Sequence, residues 1–156
     1  MLRLVIIPII AGLVATGGIT LVLWAIDKTG WTNADMVRAV GSLFTKKIEN
    51  AFKAGLIMHF VAGTIISGIY LHILSILNLG NAAGVIFVGG IMGFIHGFIF
   101  SFVMVIYSEH HPVEDFKEAD FEVAVAHVLG HIVYGMLIGV VFSILAAMGV
   151  DVSPGI

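Results

Sequence analysis

The sequence predicts an all-α integral membrane protein with four transmembrane helices, arranged as two parallel-repeat helical hairpins, plus a short interfacial amphipathic helix. Three observations carry this. Hydrophobic residues make up 60% of the 156 residues and charged residues 11%. An ordinary soluble domain carries about 25% charged residues, so this much apolar surface needs a lipid solvent. Three stretches, 4–26, 54–108 and 123–150, contain no Asp, Glu, Lys or Arg. A histidine–glycine pattern also recurs in two of the apolar segments.

A helix needs about 20 apolar residues to cross a bilayer. The first and third charge-free stretches hold one helix each. The middle one holds two, broken at Asn78, Leu79, Gly80 and Asn81, where Asn and Gly mark a turn. The helices therefore fall near 3–26, 53–77, 83–108 and 121–149, in a single domain spanning 1–156. Runs this long exceed the length of buried strands. The first segment opens on Met1, Leu2 and Arg3 and then stays apolar to Ile26. It is longer than a signal-peptide core and is expected to be a retained membrane helix.

Two longer connections remain. Within 27–52, Met36, Val37, Val40, Leu43 and Phe44 are spaced as on one helical face, which predicts a short amphipathic helix lying at the membrane surface. Residues 109–120 form a polar, mostly acidic turn. The two connections lie on the same side and hold Lys28, Arg38, Lys46, Lys47, Lys53 and Lys117, whereas the other side holds Arg3 alone. The positive-inside rule then predicts a multi-pass protein of the inner (plasma) membrane. Loops 27–52 and 109–120 are cytoplasmic and both termini lie outside.

The segment His59 to Tyr70 aligns without gaps to His131 to Phe142, matching His59 with His131, Gly63 with Gly135 and Ser67 with Gly139. Helices 1 and 3 are both glycine-rich but match less well. The chain thus reads as two hairpins in the same orientation, related by an axis along the membrane normal. The segments Ala11–Thr16, Asp35–Gly41 and those that begin at His59 and His131 also resemble small four-helix bacterial inner-membrane proteins of unknown function. That resemblance implies the architecture and supplies no activity. The acidic, histidine-bearing loop 109–120 departs from it.

Composition narrows the chemistry. A net charge of −3 without a clustered basic face gives no support to nucleic-acid binding. With no cysteine, disulfides, Fe–S clusters and c-type haem attachment are excluded, which leaves His, carboxylate and Met as metal ligands. No Ser, His and Asp are placed as a triad and no glycine loop cradles phosphate, so no catalytic activity of its own is expected.

The candidate functional residues are histidines inside the membrane. At 100° per residue, Gly55, His59, Gly63 and Ser67 share one row of helix 2, and His127, His131, Gly135 and Gly139 share one row of helix 4. Gly89, Gly93, Gly97 and Ser101 form a small-residue row on helix 3, with His96 beside it. Small residues mark where membrane helices meet, so His59, His96, His127 and His131 point inward. His59 lies about 9 Å along its helix from Lys53, so it sits in the half nearer the two connections, as does His131.

Three readings compete. In the first, haem b is held by His59 and His131, with Lys46, Lys47 and Lys53 meeting the propionates. His59 and His72 are about 140° apart around one helix, so no more than one haem fits. In the second, His127 and His131, at i and i+4, bind a transition-metal ion (Cu, Zn, Ni or Fe) with His59 or His96 as a third ligand. Glu109, His110, His111, Asp115 and Glu118 would collect metal at the surface. In the third, the histidines bond to backbone carbonyls or to Tyr70 and Tyr134, and the chain is a ligand-free structural subunit. Intramembrane ionisable residues favour binding, for electron transfer or metal handling. The expected partners are the lipid bilayer and other membrane proteins or copies of the chain. His72 is expected at the surface, His110 and His111 in solvent, Trp24 and Trp31 at interfaces, and the seven methionines as scattered packing residues.

Overall fold

The computed structural model describes residues 2–152. Five α-helices follow in order: α1 Leu2–Thr29, α2 Met36–Thr45, α3 Ala51–Leu77, α4 Ala82–Ser108 and α5 Phe121–Ala147, with one 3-10 turn at Glu114–Phe116. No strand occurs among the described residues. α1, α3, α4 and α5 are each long and apolar enough to cross a membrane. Their outer faces carry large uncovered apolar side chains, such as Ile57 at 65% exposure and Phe87 at 69%. Side chains this apolar need a lipid environment. The chain is a multi-pass membrane protein.

Local chemistry sets the helix ends. Asp35, Asn81 and Asp120 each accept a hydrogen bond from the backbone N–H three residues on, capping α2, α4 and α5. Asn78 takes the left-handed conformation (φ 44°) and ends α3, as Asn tolerates better than most residues. Gly30, at φ 71°, does the same just after α1. The expected turn at 78–81 is therefore present, and α1 runs one turn further than the apolar stretch that predicted it.

Packing follows the repeat. α1 lies against α3, α4 lies against α5, and α1 joins the two hairpins by also packing on α5. The inner row of α1 is Ile7, Ala11, Ala15, Ile19 and Leu23, all buried and each four residues from the last. In the α4–α5 hairpin the small-residue rows predicted from sequence meet backbone to backbone. A Cβ on Gly89 or Gly135 would strike the backbone of the other, and one on Gly93 would strike the carbonyl of His131. The α1–α3 hairpin meets through Gly12 against Thr64 and Gly63 against Thr16, and Ser67 donates to the carbonyl of Pro8 at 2.6 Å. α3 and α4 touch far less, although the shortest connection joins them.

The amphipathic helix exists, but it does not rest freely at the surface as the sequence suggested. α2 packs on α3 through Gly41 and Gly55, where added side chains would strike Ala51 and Val37 backbone atoms. It buries Met36, Val37, Gly41 and Ser42 and leaves Leu43 and Phe44 exposed. The two connections meet over it, with Asn33 Nδ2 donating to the carbonyl of Asp115 at 3.0 Å.

Candidate functional site

Histidines from three helices gather in the bundle interior. His127 is 1% exposed, and His59, His96 and His131 are half-buried. The centre of the group is His131. Its ring lies 4.7 Å from that of His96, edge to face, and 5.8 Å from the near-parallel ring of Phe100. His59 and His127 are within electrostatic range of it. The ring set against His131 is that of His96, because Gly93 and Gly97 let α4 approach α5 closely.

The hydrogen bonds fix which ring nitrogens are free. A carbonyl only accepts, so His127 Nδ1–H donates to Val123 O at 2.7 Å and His131 Nδ1–H donates to His127 O at 2.8 Å. In a neutral imidazole the other nitrogen, Nε2, then carries a lone pair. His96 Nδ1 is hydrogen-bonded to the Tyr70 hydroxyl at 3.2 Å. The Nε2 atoms of His59, His96 and His127 are all buried without a hydrogen-bond partner. Leaving one such atom unsatisfied costs about 1–3 kcal/mol, and here three occur together.

Two tyrosines close the group on its far side. Tyr134 donates to the carbonyl of Gly63 at 2.5 Å, tying α5 to α3 one turn beyond His131 and His59. The rings of Tyr70 and Tyr134 meet edge to face at 5.6 Å. The sequence placed both tyrosines on the histidine faces, and both reach His96: Tyr70 through its hydrogen bond and Tyr134 edge to face at 6.4 Å. Among the described residues, no three His, Asp or Glu side chains already converge on a common metal position.

Two cavities open beside α2. One, of about 280 Å³, lies between α1, α2 and α3 and reaches His59. The other, of about 80 Å³, lies under α2 and the 109–120 connection and reaches His127. The histidine group therefore has a cavity on each side of α2.

The other histidines divide. His72 and His110 are exposed, as expected. His111 is not solvated: it is 6% exposed. Its Nε2–H donates to Ala39 O at 3.0 Å, its Nδ1 accepts from the Val113 N–H at 3.2 Å, and its ring meets Phe116 edge to face. Both nitrogens are engaged, so His111 does not act as a surface metal collector. It latches the 109–120 connection onto α2. Nothing in the local pattern distinguishes it from its exposed neighbour His110, since its partner Ala39 is 72 residues away in sequence.

The chain matches no curated protein and no solved structure at a significant level. Residues 2–150 do match one family, described as a family of unknown function (DUF6789). With that match spanning nearly its whole length, this four-span helical protein belongs to the DUF6789 family.

Proposed function

We propose that the bundle interior binds a transition-metal ion through imidazole Nε2 atoms of His59, His96, His127 and His131, and that the protein handles metal within the membrane. One observation carries this reading: the Nε2 atoms of His59, His96 and His127 are buried without partners, and the His96 ring lies 4.7 Å from that of a fourth histidine, His131. Metal-ligating histidines characteristically donate their second ring N–H to a carbonyl, which orients the free nitrogen. His127 and His131 both do so. Rotation of the half-buried His59 ring, with His96 held by Tyr70, would complete the ligand set.

A bare ion suits the packing better than haem b. A porphyrin between His59 and His131 would have to part α3 from α5 one turn away from the Tyr134–Gly63 bond. The positive-inside rule supports cytoplasmic loops 27–52 and 109–120 in an inner membrane, with both termini outside. The role is that of one component of a membrane assembly or of a homo-oligomer.

The test is elemental analysis and absorption spectroscopy of detergent-purified protein, followed by titration with Co(II). Stoichiometric metal, with Co(II) d–d bands that need the histidines, is the expected result. A Soret band would restore the haem reading. No metal uptake would leave a ligand-free structural subunit.

A further inference from the structure

The smaller cavity beside α2 brings together residues that are far apart in sequence. Met36 of α2 and Met104 of α4 both line it, and His127 of α5 lines it as well. Met36 is 8% exposed and Met104 is partly buried against the same core. His127 is the most deeply buried of the histidines named above, and its Nε2 has no partner. Asp115 and Glu118, both exposed, stand at the rim of this cavity. His111 lines it too, but its ring nitrogens are already engaged, so it is no donor.

We infer that this cavity is a copper(I) site, in which the Met36 and Met104 thioethers and His127 Nε2 receive the ion and pass it to the histidine group. Thioether sulfur is a soft ligand and selects Cu(I), whereas Zn(II) and Ni(II) favour imidazole, carboxylate or thiolate. Most of the wall is apolar, through Val40, Leu43 and Val123, while Asn33, Asp35 and Ser108 add polar groups. Such a lining penalises a doubly charged ion that keeps its water more than a singly charged one that sheds it. The rim carboxylates draw cations toward the opening. His127 also belongs to the interior group, within electrostatic range of His131 and His59, so an ion on its Nε2 stands at the entrance to that group. The inference deepens the metal-binding reading above and rests on it for the ion's destination.

The experiment is an anaerobic titration of the full chain in detergent with Cu(I), in competition with a chromogenic Cu(I) chelator. Cu K-edge absorption of the same samples reads sulfur in the first coordination shell. Wild type is expected to hold Cu(I) with Cu–S scattering. The double variant Met36→Leu/Met104→Leu keeps apolar volume. It should lose that scattering and bind Cu(I) at least about tenfold more weakly, a loss that even an outer-shell change can cause. Retained helicity and a monodisperse elution profile show that the variant is folded. Failure to bind Cu(I), or unchanged affinity and no sulfur signal, overturns the inference. If Co(II) still binds through the histidines while Cu(I) does not, the cavity inference alone falls. If Cu(I) is held on sulfur but Co(II) is not taken up, the histidine-group reading falls instead.

Discussion

The hydroxyl of Tyr70 on α3 and Nδ1 of His96 on α4 are hydrogen-bonded at 3.2 Å, between two helices that otherwise scarcely touch. With the imidazole as donor, this bond leaves the His96 Nε2 lone pair facing the interior. One contact therefore ties the hairpins together and also orients a candidate ligand.

Tyr70→Phe should weaken both functions. Hydrogen bonds inside membranes are worth about 0.6 kcal/mol on average, so a loss of that order is expected in a denaturation assay. Spin labels on α3 and α4 should report a broader distance distribution. A distribution identical to wild type would show that the turn at 78–81 suffices to hold the pair.

The histidines can be separated by substitution. His59→Ala and His131→Ala should each abolish bound metal, while His72→Ala, at an exposed position, should spare it. Elemental analysis of the three purified variants reads this directly. Equal loss in all three would sink the assignment of ligand faces.

The α4–α5 contact leaves no room for side chains. Gly135→Ala places a methyl group against the Gly89 carbonyl, and overpacking of this kind typically costs about 1–3 kcal/mol. Gly17 has nothing within reach of an added Cβ, so Gly17→Ala should be neutral or stabilising by up to about 1 kcal/mol. Thermal unfolding in detergent compares the two. A Gly135→Ala protein as stable as wild type would contradict the backbone contact.

Much of the fold was legible in the sequence, because the four spans are written as charge-free runs and their ends as Asn, Asp and Gly. The small-residue row from Gly89 to Ser101 also foretold a buried face. Neighbour relations were not legible. Periodicity says which face of a helix is inward and leaves open which helix it meets, so the contact of His131 with His96 came only with the packing. The cavity shared by Met36 and Met104 is similar: 68 residues separate positions that read singly as filler.

His111 shows the same limit from the other side, and it yields a prediction. His111→Ala removes the hydrogen bond that ties the 109–120 connection to Ala39 of α2 and a second one within the connection, with Val113. Amide exchange in α2 should rise, by a factor that corresponds to about 1–3 kcal/mol for the buried groups left unpaired. Exchange in α4 and α5 should not change. Uniform acceleration would mean that the latch supports the whole bundle.

The absence of cysteine makes orientation directly measurable. Lys47→Cys and Gly80→Cys lie on opposite sides of the bundle. In intact cells, a membrane-impermeant thiol reagent should label the second and spare the first. The reverse pattern would invert the proposed topology.

Two rods joined at one end by a four-residue turn and pinned once partway along behave as tweezers. α3 and α4 are built this way, and His59 and His96 ride on opposite jaws. The spacing of these two candidate ligands is then governed by α1 and α5, which pack against the jaws. A thicker or more ordered bilayer would squeeze the grip, and a loose detergent micelle would slacken it. Affinity for a bound ion would then follow the lipid as well as the side chains.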